Sequence, residues 1–350
     1  MQINKYKRNS NINVALKCLK NSPNITEFLN EIQEYSTKKY NSNIIKIYGI
    51  SQDPDTKNYI LVLEYAEGGN FNEWIKKSYE TYSWFDRILT LFSIIGGLIE
   101  IHRKNIIHRD LHTGNILIKH DGFMRNDAYI SDMGLCKKVE KIEKVENLSK
   151  SRIYGVLPYV APEVLRGKLY TQASDIYSFG MIMYFIATGK QPFANCEHDM
   201  ALTIKICNGE RPEINESEAP ECYIDLMKRC WDPDPDNRPN ANELYESVNL
   251  FFIICIGINH IGDELRTSRA RRVGRVQRVQ KMKDYEIKDQ FREAEEYRKN
   301  HLTSFKKNVQ STTHPQAIYT SRLLNPFTKD LSDIDDSSIK IDYKGWLNIL

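Results

Sequence analysis

The sequence predicts an α+β fold in which a small, strand-rich N-terminal part precedes a larger, mainly helical part. Short segments that alternate apolar and polar residues, as half-buried strands do, are concentrated before residue 66. Two long apolar stretches, 85–102 and 176–188, follow them, and their length favours helices over strands. The 350 residues are 41% hydrophobic and 27% charged, which is typical of a globular chain with a substantial core.

The N-terminal part is predicted to run strand, helix, strand, strand. Residues 13–19 alternate like a half-buried strand, and apolar residues then recur at helical spacing over 28–35. Two further strands are predicted at 44–50 and 59–64. Asp53-Pro54-Asp55 supplies the turn between them, because Asp and Pro favour turn backbone conformations.

The larger part is organised around buried helices and two loops. The stretch 176–188 is apolar nearly all round, so we expect a central buried helix. Residues 136–152 are polar and predict a mobile loop, and prolines at 233, 235 and 239 mark a loop before the last helix. The apolar run 250–258 has nine residues, whereas a membrane span needs about 20, so it predicts a buried helix or strand and no membrane span.

Charged side chains nearly balance over the whole chain, with 49 Lys plus Arg against 46 Asp plus Glu and a net charge of +3. This balance excludes a protein that binds polyanions over its whole surface. A local exception is 266–283, which has eight Lys or Arg and no acidic residue. The run lacks aromatic side chains for base stacking, so a solvated basic linker is favoured over a nucleic-acid site.

The C-terminal segment after the basic run changes character twice. Residues 284–307 are dense in both charges and predict a helix with a narrow apolar seam, which we interpret as a docking element for a regulatory protein. From Val309 onward the chain is polar and rich in Ser and Thr, and we expect it to be only partly ordered. The predicted seam consists of Ile287, Phe291, Ala294 and Tyr297.

Cysteine usage predicts a reducing compartment. The seven cysteines show no spacing typical of a metal site, their number is odd, and the polar N-terminus has no apolar leader. We therefore expect reduced thiols and a cytoplasmic protein.

Five polar motifs follow one another between apolar segments of the larger part. The first, His108-Arg109-Asp110-Leu111-His112-Thr113-Gly114-Asn115, places an Asp and an Asn five residues apart, where a tight loop can direct both into one cavity. The others are Ser131-Asp132-Met133-Gly134, the segments 155–163 and 174–180, and Trp231-Asp232-Pro233 leading to Asn237-Arg238-Pro239.

In order and spacing these motifs, with Val14-Ala15-Leu16-Lys17 upstream, resemble the signature set of protein kinases over about residues 14–250. The closest resemblance is to the tyrosine-kinase-like group. It implies a two-lobed protein-kinase fold in residues 1–258, with a small lobe at about 1–66 and a large lobe at about 67–258. A charged tail, 259–350, partly helical and partly disordered, would follow.

The resemblance implies an ATP- and Mg²⁺-dependent transfer of phosphoryl groups, which depends on charge neutralisation and positioning. Lys17 would contact the α- and β-phosphates, paired with Glu31, although Glu27 and Glu34 lie on the same predicted helix. Asp110 would accept the hydrogen bond of the substrate hydroxyl. Asn115 and Asp132 offer the oxygen ligands that Mg²⁺ prefers.

By the same resemblance, the adenine ring would lie at the segment 63–69. The Glu64 carbonyl and the Ala66 N–H would contact its edge, and Leu63 would be the gatekeeper. Ala15 and Leu117 would enclose the two faces of the ring.

Three further residues match structural positions of the family. Glu163 and Arg238 correspond to a buried ion pair of the large lobe, and Asp175 would bind the backbone of the catalytic loop.

The sequence departs from the family pattern before the first strand. No glycine lies among the 13 residues before Val14, where the family has a glycine-rich loop that covers the phosphates. We therefore expect a truncated small lobe. The alternative function is a catalytically impaired pseudokinase or truncated kinase that acts as a protein-binding module.

Other departures bear on the phosphate acceptor. Met133 replaces the usual Phe and fills the same apolar space, while His112 and Val156 replace the Lys and Thr typical of serine/threonine kinases. The acceptor therefore stays open, with Ser or Thr favoured over Tyr. The family pattern also makes Arg109 a sensor of phosphorylation, for which the candidate sites are Ser149, Ser151 and Tyr154.

Overall fold

The computed structural model describes residues 12–19, 43–120, 126–133, 136–138, 152–258, 279–311 and 313–328. Within them the fold is mixed α+β and mostly helical, with small sheets. Several predictions lie outside the described residues: the helix at 28–35, residues 1–11 before the first strand, most of the loop 136–152, and most of the basic run 266–283.

The three strands predicted in the N-terminal part occur in the predicted order. The strands are β1 (Val14–Leu19), β2 (Ile47–Gln52), β3 (Tyr59–Glu64), β4 (Gly69–Asn70), β5 (Ile106–Ile107), β6 (Ile116–His120), β7 (Asn126–Ile130), β8 (Lys137–Lys138), β9 (Tyr154–Gly155) and β10 (Arg322–Leu323). The helices are α1 (Phe71–Ser78), α2 (Trp84–His102), α3 (Pro162–Leu165), α4 (Gln172–Thr188), α5 (Met200–Cys207), α6 (Glu221–Cys230), α7 (Ala241–Ile258), α8 (Val279–Asn300) and α9 (Leu302–Gln310).

The N-terminal sheet is antiparallel, with the strand order β1-β3-β2. Ala15 of β1 lies opposite Leu63 of β3, and Lys17 lies opposite Leu61. The predicted turn joins β2 to β3, where the Asp53 carboxylate accepts hydrogen bonds from the N–H groups of Asp55 and Thr56. This register places Ala15 and Lys17 on a strand directly beside the end of β3.

The segment before β2 connects the sheet to the helical part. Ile44 forms a parallel bridge with Ile130 of β7, and the Ile45 N–H donates to the Ile130 carbonyl at 2.9 Å. The strand predicted at 44–50 therefore pairs with β3 only from Ile47 onward. The contact also explains Gly97 of α2, because a Cβ atom there would lie 2.6 Å from the Asn43 carbonyl oxygen.

Two buried helices form the centre of the large part. A capping box between Ser83 and Asp86 begins α2, one residue before the predicted start. Almost every side chain of α4 is buried, as its uniformly apolar sequence predicted, and the helix ends at Gly189 with φ 71°.

The apolar run 250–258 forms the second half of α7, so the helix of the two predicted alternatives is correct. The Phe252 ring stacks on Phe92 of α2 with the ring centroids 5.0 Å apart, and Val248 and Phe251 are buried. Among the described residues α7 alone is long and apolar enough to cross a membrane, a criterion that a core helix also meets. Its contacts with α2 account for its apolar face.

The predicted seam of α8 packs on the chain's own large part. Phe291 and Ala294 are buried, and the Phe291 ring meets Trp84 edge-to-face at 5.9 Å. The Glu295 carboxylate accepts a hydrogen bond from the backbone N–H of Trp84 at 2.9 Å. An apolar seam shows that a surface is covered but not what covers it. Here Trp84 of α2 and Phe251 of α7 contact Phe291, so the chain itself covers this part of the seam, where we expected a separate regulatory protein.

Glu163 and Arg238 form the predicted ion pair. Arg238 donates two hydrogen bonds to the two carboxylate oxygens of Glu163, at 2.7 and 2.8 Å, and both side chains are buried. A third bond runs from Arg238 to the Ala173 carbonyl of α4. The pair therefore ties α3 to α4 and to the loop before α7.

Replacing Arg238 with Ala should lower the melting temperature by about 10 °C. A buried carboxylate that loses its partner typically costs about 3–5 kcal/mol, and each kcal/mol corresponds to roughly 2–4 °C in a domain of this size. The measurement is thermal unfolding followed by circular dichroism.

Lys190→Ala is the matched control, because Lys190 makes a longer, half-exposed pair with Glu218 at 3.7 Å. It should shift the melting temperature by no more than about 3 °C. Equal shifts for the two variants would contradict the structural role of the Glu163 pair.

Candidate active site

A cavity of about 330 Å³ opens between the N-terminal sheet and the helical part. Its walls are mainly apolar, and charged side chains lie at one end, a composition typical of small-molecule sites. Eight of the residues predicted from the sequence line this one cavity: Ala15, Lys17, Leu63, Glu64, Ala66, Asn115, Leu117 and Asp132.

Lys17 and Asp132 meet at the polar end of the cavity. The Lys17 Nζ lies 2.5 Å from the Asp132 Oδ1, and both side chains remain more than a third exposed. Asp132 directly follows β7 and Ser131, and it adopts φ 58°, a left-handed conformation that is uncommon for a residue other than glycine. Glu31, the predicted partner of Lys17, lies outside the described residues.

Asp110 and Asn115 lie in the loop between β5 and β6 and are joined directly. The Asn115 Nδ2 donates to the Asp110 carbonyl at 2.8 Å and to Asp110 Oδ2 at 3.3 Å. The Asn115 carbonyl in turn accepts from the N–H and the hydroxyl of Ser131, at 2.8 and 2.9 Å. The loop and the segment that carries Asp132 are therefore held in one hydrogen-bonded unit.

Asp175 of α4 holds the backbone of the same loop by hydrogen bonds. Its carboxylate accepts hydrogen bonds from the N–H groups of His108 and Arg109 at 2.8 and 3.0 Å, and it contacts His102 Nε2 at 2.9 Å. Arg109 has φ 72°, so these bonds stabilise a backbone conformation that would otherwise be unfavourable. The predicted role of Asp175 in binding the loop backbone agrees with this geometry.

Asp110 is a buried carboxylate that stays ionised at neutral pH. Burial acts to raise its pKa, but the neighbouring His112 and His108 rings and the Ser321 hydroxyl outweigh burial and hold the pKa below its ordinary value. Within the described residues, Asp110 Oδ1 accepts no hydrogen bond. The acceptor capacity of this oxygen is therefore left unused by the described residues.

His112 presents a defined face to Asp110. Its Nδ1 accepts the Gly114 N–H at 3.0 Å, so the ring proton of the neutral form lies on Nε2. Nε2 is 3.7 Å from Asp110 Oδ1. The ring thus directs a donor toward the carboxylate from the position where serine/threonine kinases usually carry Lys.

Glu64 links the two walls of the cavity. Its side chain forms a largely buried ion pair with Lys119 of β6 at 2.7 Å. Its N–H donates to the Lys46 carbonyl at 2.8 Å. Leu63 and Ala66 on either side then line the cavity, as the predicted hinge requires.

The donor set at the polar end suits a magnesium ion that also binds phosphate oxygens. Mg²⁺ commonly uses only one or two protein oxygen ligands beside phosphates and water. Because the Asn115 Nδ2 donates its hydrogen bonds to Asp110, the Asn115 Oδ1 is the atom left for a cation, in the cavity that the Asp132 carboxylate also lines. No group of three His, Cys, Asp or Glu suited to a metal occurs in the part of the chain that the structure describes.

Residues 1–248 match the family described as protein tyrosine and serine/threonine kinase. The chain belongs to the protein kinase family. It is 30% identical to human receptor-interacting serine/threonine-protein kinase 1 over 260 residues, which cover 69% of this chain and 37% of the relative. It is also 30% identical to mouse receptor-interacting serine/threonine-protein kinase 4 over 247 residues, 66% of this chain and 30% of the relative.

These relatives agree with the predicted resemblance to the tyrosine-kinase-like group. The matched part of the chain covers 37% of the length of the first relative and 30% of the length of the second.

Several cavity residues of this kinase domain were not predicted from its sequence. Ile45 and Ile47 form part of the apolar wall, and Lys119 pairs with Glu64 across it. Apolar alternation around Ile47 predicted a strand, but not which face of it would meet the cavity. Ser321, near Asp110, has no signal in the local sequence pattern.

Replacing Asp175 with Asn should destabilise the protein by about 2–4 kcal/mol. The amide keeps the size of the carboxylate but turns an N–H₂ group toward buried donors, and each buried donor left without an acceptor costs roughly 1–3 kcal/mol. Urea-induced unfolding measures the change in the free energy of unfolding.

Asp225→Asn on the exposed face of α6 is the control and should leave that free energy within about 0.5 kcal/mol of the wild type. A wild-type value for Asp175→Asn would show that the loop does not depend on this carboxylate.

Proposed function

We propose that this chain transfers the γ-phosphoryl group of ATP, in the presence of Mg²⁺, to Ser or Thr hydroxyls of proteins. The observation that carries the proposal is the single cavity in which Lys17, Asn115 and Asp132 converge, with Asp110 bonded to Asn115 at its edge. Phosphoryl transfer requires this combination of a cation, oxygen ligands for a metal and a carboxylate beside the acceptor.

The apolar walls and the hinge would bind the nucleotide. Ala15, Leu117, Glu64 and Ala66 line the cavity. Ala15 and Leu117 would enclose the faces of the adenine ring, and the Glu64 carbonyl and the Ala66 N–H would contact its edge. A flat heterocycle gains most of its binding free energy from such walls and its orientation from a few polar groups. Leu63, at the end of β3, would limit the depth of the pocket.

Lys17, Asn115 and Asp132 would stabilise the phosphates. When bound, Mg²⁺ supplies additional positive charge on the phosphate oxygens. Asn115 Oδ1 and the Asp132 carboxylate would hold it, and Lys17 would donate to the phosphates instead of pairing only with Asp132. Glu31 would orient Lys17.

Asp110 would align the acceptor hydroxyl and receive its proton late in the transfer. Its low pKa makes it a weak base, which suits a reaction in which bond formation to the acceptor lags behind loss of the leaving group. His112 Nε2–H, directed at the same carboxylate, would stabilise its orientation.

The relatives reported above favour Ser and Thr over Tyr as acceptors, because they are serine/threonine kinases by name.

The alternative is a protein-binding module without phosphotransfer. It rests on the sequence observation that none of the 13 residues before Val14 is a glycine. Measurement of phosphotransfer decides between the two proposals.

Asp110→Asn should lower the rate of phosphate transfer to casein by about 10²–10⁴-fold, because an amide cannot accept the proton. The rate is measured with radiolabelled ATP and Mg²⁺. Asp236→Asn, at an exposed position of the loop before α7, is the matched control and should retain the wild-type rate.

A rate for Asp110→Asn within threefold of an active wild type would contradict the role of Asp110. A folded wild type that transfers no phosphate would favour the binding module.

A further inference from the structure

The C-terminal segment 313–328 lies along the large part of the domain. Its N-terminal half follows the loop after α4, where the His314 N–H donates to the Ala194 carbonyl at 2.8 Å and the Tyr319 hydroxyl donates to the Pro192 carbonyl at 2.8 Å. The Arg322 guanidinium then donates to the His198 carbonyl. These bonds use backbone acceptors, which explains how a polar segment is held in place.

The second half of the segment adds a strand to β9. Arg322 pairs with Gly155, and Leu323 pairs with Tyr154, in antiparallel register. The Leu324 N–H donates to the Ile153 carbonyl at 2.8 Å, and the Ile153 N–H donates to the Asn325 side chain at 2.8 Å. Leu324 is fully buried and anchors the strand.

This strand pairing brings the segment to the catalytic loop. A Cβ atom on Gly155 would lie 3.7 Å from Asp110 Oδ1, so the strand with which the segment pairs is next to the carboxylate. Ser321 directly precedes Arg322, the residue that pairs with Gly155. The Ser321 hydroxyl lies close enough to the Asp110 carboxyl to help lower its pKa.

Neighbouring hydroxyl residues do not share this position. The Tyr319 hydroxyl is bonded to Pro192. The Arg322 guanidinium donates to the His198 carbonyl and lies over the Phe327 ring. Among the described residues 319–322, Ser321 is the one whose hydroxyl lies beside the Asp110 carboxyl.

We propose that Ser321 is a phosphate acceptor of this chain's own active site, and that residues 319–325 occupy the groove where a substrate peptide would bind. The proposal rests on the proposed kinase function and adds the acceptor. It implies that an extended peptide binds by pairing with β9, with a hydroxyl residue one position before the first pair and a buried apolar residue three positions after the hydroxyl residue. Peptide recognition by strand addition is a general mode of binding.

The transfer would be intramolecular. The Ser321 Oγ forms a bond to the γ-phosphorus of ATP while the bond from that phosphorus to the β,γ-bridging oxygen breaks. ADP leaves with the bridging oxygen, and the hydroxyl proton passes to Asp110. The product carries a phosphoserine whose two negative charges face the Asp110 carboxylate, so repulsion favours release of the segment.

The docked position is tested without nucleotide by hydrogen exchange of the peptide that covers 319–326. Leu324→Asp places a charge at the buried anchor and should speed exchange there at least about tenfold. Leu323→Asp is the matched control, because Leu323 is 38% exposed, and it should exchange at the wild-type rate. Wild-type exchange as fast as that of Leu324→Asp would overturn the docked position.

The acceptor is tested on full-length, phosphatase-treated protein incubated with Mg·ATP and analysed by mass spectrometry. We expect phosphate at Ser321, at a rate that is independent of protein concentration, as an intramolecular reaction requires. Ser321→Ala should remove this site and Leu324→Asp should slow it, whereas Thr320→Ala should match the wild type.

Casein in the same reaction separates the two proposals. Phosphorylated casein with unmodified Ser321 would overturn the acceptor assignment and leave the kinase function intact. A Ser321 rate that rises with protein concentration would overturn the intramolecular reaction. Absence of phosphate on both Ser321 and casein would overturn both proposals.

Discussion

The buried Asp175 carboxylate fixes the geometry on which the rest of the site depends. It is carried by α4, in which every residue from Ser174 to Thr188 is buried, so its position is set by packing. From there it holds the His108 and Arg109 N–H groups, and the loop continues through Asp110 to Asn115. Asn115 in turn binds Ser131, next to Asp132. One helix therefore positions two candidate catalytic segments that are far apart in sequence.

Electrostatics in this region follow from the same arrangement. A carboxylate as buried as Asp110 would ordinarily be destabilised, but the histidine rings and the hydroxyl around it favour its charged form. The buried Glu163 carboxylate is stabilised in a different way, because the Arg238 guanidinium donates a hydrogen bond to each of its two oxygens. Both buried acids are thus stabilised locally, which lets the domain place charge near its core.

Much of the fold could be predicted from the sequence, because its signals are local. Alternation predicted β1 and β3, uniform apolarity predicted α4, and the family resemblance predicted the Glu163–Arg238 pair and the Asp175 contact. The positions of the cavity residues followed from the family resemblance rather than from periodicity. The C-terminal parts could not be predicted in this way. The seam of α8 does not reveal that Trp84 covers it, and segment 313–328 binds through backbone hydrogen bonds and one buried leucine, which leave no periodic pattern.

The C-terminal segment covers the edge of β9. An unpaired strand edge attracts further strands, and here the chain pairs it with its own β10. In this state a separate substrate would have to displace residues 319–325 before it could reach Asp110. How easily a substrate reaches Asp110 would therefore depend on how tightly the chain binds its own residues 319–325.

The measurement that tests the central claim most directly is a thermal-shift titration of the purified chain with Mg·ATP. A ligand that binds only the folded state stabilises it by RT ln(1 + [L]/Kd), so the melting temperature rises with ligand concentration. The account predicts a concentration-dependent rise that requires Mg²⁺ and that Asp132→Ala abolishes, while the exposed Asp225→Ala preserves it. A well-folded wild type whose melting temperature does not change at millimolar Mg·ATP would contradict the assignment of this cavity as a nucleotide site.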